Sequence, residues 1–116
     1  MENLTELDPQ TFTNLINDLG ADFVCELVEI YCNDSRQQLQ ILQTALDQGD
    51  QITFTRAAHT LKSTSLTFGA LGYANLAREL EMLGRAGKFE EAYEKSQQLV
   101  DACEPLLRKL KDLCHD

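Results

Sequence analysis

Apolar residues recur along this chain at intervals of three and four, the spacing of helices buried on one face. No run shows the period-two alternation of a half-buried strand. Asp8-Pro9 reads as a helix start, with Asp8 as N-cap and Pro9 in the first turn. A short helix then runs to about Asp18, closed by Gly20, with Phe12, Leu15, Ile16 and Leu19 on its apolar face. It is too short to be stable alone and must dock on something. A long helix comes next, from about Ala21 to Gln48. Phe23, Val24, Leu27, Val28 and Tyr31 mark its core stripe, which resumes at Leu39, Leu42, Ala45 and Leu46. Asn33, Asp34, Ser35, Gln37 and Gln38 interrupt the stripe. Either this middle part faces water, or it lies beside a functional site where a partner docks.

Gly49 and Asp50 form a stop and then a start. The third helix spans about Gln51 to Phe68, with Phe54, Ala57, Ala58, Leu61, Ser65 and Phe68 on one stripe, and Gly69 ends it. The fourth spans about Leu71 to Ala86, with Leu71, Ala74, Leu76, Ala77, Leu80, Leu83 and Gly84 on the inner side, and Gly87 ends it. The last begins near Phe89. Its expected stripe is Phe89, Ala92, Tyr93, Ser96, Leu99, Val100, Cys103, Leu107, Leu110 and Cys114. Pro105 lacks an N–H and crowds the carbonyl of Asp101, so a kink is expected there. Amphipathic helices joined by very short turns must be antiparallel neighbours. The expected fold is all-α: an up-down-up-down four-helix bundle over about 21–114 with a short cap helix over about 8–19. Residues 1–116 would form a single domain, as the length allows.

Charge changes this picture in one place. The chain has 10 Lys and Arg against 19 Asp and Glu, a formal net charge of −9. That argues against nucleic acid and anionic membrane surfaces as partners. Yet from Gln51 to Arg78 there is no acidic residue, while Arg56, Lys62 and Arg78 are present. A cationic segment inside an acidic protein suits an anion or an acidic partner. No apolar run approaches the ~18 residues of a membrane span. The N-terminal residues lack the basic and apolar regions of a signal peptide, so the expected location is the cytoplasm.

The four cysteines, Cys25, Cys32, Cys103 and Cys114, show no metal-ligand spacing. Cys25 and Cys32 stand about 10 Å apart along one helix, too far to bridge each other. Buried free thiols in a reducing compartment are the expectation.

His59 lies inside the cationic segment. It is two residues from Leu61 and therefore points away from the core stripe, towards water. Arg56, Lys62 and Ser63 share its face at i−3, i+3 and i+4. Uncharged imidazole is a good nucleophile at neutral pH. Nearby cations favour that uncharged form and would neutralise a phosphoryl group once attached. Glu81 and Arg85, one turn apart on the next helix, are the candidates to face His59 across the bundle. A partner at Nδ1 would fix the ring and leave Nε2 to attack. A carboxylate at Glu81 would oppose Arg56 and Lys62 in setting the charge of the ring.

Together, Ala58, His59, Leu61, Lys62, Ser65, Gly69, Ala70, Leu80 and Glu81 form a pattern that resembles the histidine-containing phosphotransfer (HPt) domain of multistep two-component signalling. The family motif is close to H-x-L-K-G-x-S-x-x-x-G-A, and the likeness runs from about Phe23 to Leu113. The family usually has glycine where this chain has Ser63. The resemblance implies that His59 carries a phosphoryl group taken from an aspartate of a response-regulator receiver domain and passed to another receiver. It also implies a polar contact from the Glu81 position. Receivers and a hybrid sensor histidine kinase would be the partners, with Mg²⁺ held by the receiver and no cofactor or metal on this chain. Ile52 and Leu66, at i−7 and i+7 from His59, would form the docking patch. A monomer is expected, since each stripe can be buried within the bundle.

No glycine-rich phosphate loop and no Walker-type lysine motif is present, so the chain is not expected to be a kinase. Two alternatives remain open. One is a helical adaptor that binds receivers without carrying phosphate. The other is a phospho-accepting domain excised from a larger histidine kinase. His115 reads as a frayed terminal residue.

Overall fold

A computed structural model of the chain describes residues 3–114, so His115 lies outside the described residues. Five helices succeed one another among them: α1 (Pro9–Leu19), α2 (Ala21–Gln48), α3 (Gln51–Thr67), α4 (Leu71–Arg85) and α5 (Phe89–Leu113). Their bounds agree with the spacing argument to within a residue or so. α2 to α5 form an antiparallel four-helix bundle. Each packs on its neighbour in the sequence, and α5 closes the ring on α2. The 28 residues of α2, about 42 Å at 1.5 Å per residue, set the long dimension of the molecule, 41 Å.

Among the described helices, α3 alone starts on a side-chain cap. Asp50 caps α3 by accepting the Thr53 N–H on Oδ1 at 3.2 Å. Asp8 precedes α1 and accepts the Thr11 hydroxyl at 2.6 Å. The Asp8 N–H donates to the Gly69 carbonyl at 2.8 Å, which ties α1 to the turn between α3 and α4. Gly69 has φ +77°, and a Cβ there would sit 2.9 Å from the Thr11 Cβ and 3.1 Å from the Asp8 carbonyl. Only glycine meets both demands. This contact seats the cap helix over one end of the bundle.

The core is one continuous cluster that includes Val24, Val28, Leu42, Phe54, Leu61, Tyr73, Leu80, Leu99, Leu107 and Leu110. Several expected stripe members lie elsewhere. Phe23, Leu71 and Tyr93 are exposed. Leu71 points away from the buried seam of Tyr73, Ala74, Ala77, Leu80 and Gly84, and Tyr93 reaches outward to Asp47, its hydroxyl 3.2 Å from Oδ1. On α5 the expected Leu99, Cys103, Leu107 and Leu110 are buried and are joined by Ala102 and Leu106, and the helix continues through Pro105 without ending. The polar interruption of α2 is partly buried. Ser35 faces inward, and Arg36 holds Glu104 of α5 through two bonds of 2.8 and 3.0 Å.

The cysteine expectation is corrected for one pair. Cys25 and Cys114 form a disulfide, with Cα atoms 5.7 Å apart and a separation of 89 positions in sequence. The start of α2 lies beside the end of α5 in an antiparallel ring, and this places the two thiols together. Cys32 and Cys103 are free and buried, as expected.

Two buried phenols make the fold sensitive to alkali. Tyr31 shares a hydrogen bond of 2.8 Å with Ser65 and packs its ring against Phe68, 5.0 Å between centroids. Burial pushes its phenol up to about 12, and pushes Tyr73 up as well. The folded value lies above the unfolded value near 10. The contribution of Tyr31 is therefore complete below about pH 10 and lost as pH rises through about 12, and that of Tyr73 is likewise complete below about pH 10 and falls in the same direction. The urea midpoint should hold steady to about pH 10 and then fall, and the fall should shrink in the Tyr31→Phe, Tyr73→Phe protein. A midpoint that stays level through pH 12 in the unaltered chain would contradict this.

Candidate functional site

The stripe Phe54–Ala57–Ala58–Leu61–Ser65 turns the inner face of α3 to the core, with each of these residues buried. His59 is left on the outer face, its side chain 53% exposed. The facing residue on α4 is Glu81, whose side chain is only 4% exposed. His59 Nδ1 lies 2.9 Å from Glu81 Oε2. Lys62 Nζ lies 3.0 Å from Oε1, and Arg85 Nη2 lies 2.7 Å from Oε2. One buried carboxylate thus receives three donors from two helices.

The electrostatics fix the state of that carboxylate. Burial raises the Glu81 pKa, but the hydrogen bonds and charges of Lys62 and His59 together outweigh it and hold the group below its ordinary range. Glu81 is therefore ionised at neutral pH and can only accept. The proton on Nδ1 must belong to the imidazole. In the neutral ring this puts the lone pair on Nε2, across the ring from Glu81.

The remaining expected residues fall around this centre. Arg56, Ile52 and Arg85 line, with Gln51, Thr55, His59 and Glu81, an open groove of about 490 Å³. Ile52 and Leu66 are 69% and 48% exposed, on either side of His59 along α3. Ser63 is exposed; its carbonyl accepts the Thr67 hydroxyl at 3.3 Å. The groove is built from α3 and α4, and the polar middle of α2 lines no part of it. Among the described residues no group of three or more His, Cys, Asp or Glu could hold a metal ion.

Sequence reasoning passed over Gln51, Thr55 and Met82. Gln51 Nε2 donates to the Arg85 carbonyl at 3.1 Å and so bridges α3 to the end of α4. Thr55 precedes His59 by one turn, a spacing that could have flagged it. Met82 is 57% exposed beside Glu81, and Arg78 donates to its sulfur at 3.8 Å.

Comparison with known proteins agrees with this geometry. A family model for the Hpt domain matches residues 26–116. The phosphorelay protein LuxU of Vibrio vulnificus, in strains YJ016 and CMCP6, is 27% identical over 94 residues, covering 81% of this chain and 79% of LuxU. The structure of histidine-containing phosphotransfer protein B (HptB) from Pseudomonas aeruginosa PAO1 superposes with a TM-score of 0.90 at 25% identity, over 97% of each chain. The HPT domain of an Hpt sensor hybrid histidine kinase from Shewanella shares the fold, with a TM-score of 0.77 at 19% identity over 96% of this chain and 95% of that one. The chain belongs to the Hpt domain family, the phosphotransfer intermediates of phosphorelay signalling.

Proposed function

We propose that His59 is the residue that carries the phosphoryl group, on Nε2. The observation that supports this most is the Nδ1–Glu81 hydrogen bond of 2.9 Å, made by a half-exposed ring to a buried, ionised carboxylate. It orients the ring and leaves the opposite nitrogen as the nucleophile. In the step itself, Nε2 attacks the phosphorus of an aspartyl phosphate on a receiver. The phosphorus–nitrogen bond forms, the phosphorus–oxygen bond breaks, and the electron pair leaves on the aspartate carboxylate. The reverse step hands the group to a second receiver. Lys62, Arg56 and Arg85 offset the added negative charge, and Ser63 lies within one turn of it. The receiver supplies Mg²⁺ and most of the transition-state stabilisation.

The chain acts as a carrier and not as a kinase, with no cofactor of its own. It works as a monomer in the cytoplasm with receiver domains and a hybrid sensor histidine kinase. No helix of the described residues is long and apolar enough to cross a membrane. In a cytoplasmic setting the Cys25–Cys114 pair would open or close with the local thiol poise. Incubation with a panel of phosphorylated receivers tests the proposal. Label should appear on this chain, vanish on brief acid treatment and persist in base, as a phosphoramidate does. A receiver that binds but transfers no label would favour the adaptor.

Ile52 and Leu66 form the apolar docking patch around the nucleophile. Leu66→Asp should weaken binding to the cognate receiver at least tenfold, on the order of 1–3 kcal/mol for a carboxylate pressed against an apolar partner. Helical content should not change, since Leu66 is outside the core. Unaltered affinity in titration calorimetry would show that the patch lies elsewhere.

A further inference from the structure

Gly84 sits on α4 one turn after Glu81, buried, where α4 meets α3. The two helices that build the site come close together here. A Cβ at this position would stand 2.5 Å from Thr55 Oγ1 and 2.8 and 3.2 Å from two ring carbons of Phe54. The ring is the neighbour that cannot yield. Phe54 is fully buried and its ring is held edge-on against Phe89, 5.6 Å between centroids. The Thr55 hydroxyl has no hydrogen-bond partner and can turn to the second rotamer that a helix allows threonine, so the Phe54 ring sets the limit.

Non-bonded carbons are comfortable at about 3.5–4.0 Å, so accommodating a methyl group requires α4 to retreat from α3 by roughly 1 Å. Glu81 rides on the same helix, one turn away, and moves with it. A hydrogen bond of 2.9 Å lengthened by that amount falls outside the range in which it is a bond at all.

We propose that Gly84 is a positioning residue for phosphotransfer: by leaving out a side chain at the α3–α4 contact, it lets Glu81 reach His59 Nδ1. The inference rests on the reading of His59 as the phosphoryl carrier. Without Glu81 in reach, the imidazole proton distributes between the two nitrogens. A ring protonated on Nε2 has no lone pair there with which to attack. Gly84→Ala therefore slows transfer although every charged group of the site remains, and although alanine is the better helix former.

The test separates positioning from stability. Long-range proton–nitrogen NMR correlations on ¹⁵N-labelled chain report which ring nitrogen of His59 holds the proton. The native protein should show the proton on Nδ1. Gly84→Ala should show a mixture and accept phosphoryl at least tenfold more slowly. Val24→Ala, a cavity at the opposite end of the bundle, should lower the melting temperature yet keep the native tautomer and rate. A Gly84→Ala protein that retains the Nδ1 proton overturns the proposal, as does a Val24→Ala protein that loses it equally. If Gly84→Ala does not fold, Phe54→Leu and Thr55→Ala are added to make room; the proposal requires the fold and the Nδ1 proton to return, and fails if they do not. Native protein that takes no label overturns the carrier reading and this proposal with it; native protein that takes label while Gly84→Ala keeps the Nδ1 proton overturns this proposal alone.

Discussion

His59→Gln should take up no phosphoryl group from any receiver. The expectation is a complete loss, because an amide offers no nucleophilic nitrogen in place of Nε2. The fold should be intact. The His59 side chain is half-exposed, and the core face of α3 consists of Phe54, Ala57, Ala58, Leu61 and Ser65, which the substitution does not touch. Lys62 and Arg85 still neutralise Glu81, so no buried charge is stranded. Circular dichroism should match the unaltered protein while acid-labile label is absent. Label that persists in the variant, or that maps to a serine or threonine, would remove His59 from the mechanism and make the adaptor the better reading.

Phe54→Ala should remove about 3–5 kcal/mol of stability, the usual range for a buried aromatic ring truncated in a core. Phe54 has no exposed surface. It fills the α3–α4 contact below Gly84 and packs edge-on against Phe89 at the start of α5, so three helices meet on one ring. A domain of this size commonly has about 5–15 kcal/mol in total. The variant should therefore unfold at a much lower urea concentration at pH 7, with the slope of the transition unchanged. A loss below about 1 kcal/mol would mean that the seam can collapse around the missing ring, and that Gly84 faces a softer neighbour than its geometry indicates.

Much of this architecture was legible in the sequence. The bounds of α2 and α3 are punctuated by Gly20, Gly49–Asp50 and Gly69, and the 3.6-residue period of α3 is unbroken. The same period put His59 outside the core, and Glu81 was a candidate to face it. What a stripe conveys poorly is angle, and what it cannot convey is depth. Leu71 and Phe23 miss their seams by angle: the buried seams run through Val24, Val28 and Tyr31 on α2 and through Ala74, Ala77, Leu80 and Gly84 on α4, which turns Phe23 and Leu71 outward although Val24 and Tyr73 beside them are fully buried. Glu81 shares the spacing of Ala74, Ala77 and Gly84, but a carboxylate at the rim of a seam reads equally as solvated; its burial comes from how near α4 approaches α3. The Cys25–Cys114 bond is illegible for a similar reason. Its partners meet only because two helix ends share one rim of the bundle.

That bond changes what the termini of the helices mean. Residues 25–114 are a closed covalent ring, its joined cysteines 89 positions apart in sequence. The turns at 49–50, 68–70 and 86–88 all lie within it, as do His59, Lys62, Glu81 and Arg85. The cap helix α1 hangs outside it and is held through contacts such as that between Asp8 and Gly69. A protease that nicks one of those turns while the ring is closed divides the sequence but not the molecule: the two fragments stay bound to each other, and His59 and Glu81 remain on the same particle even when they are no longer on the same strand of peptide.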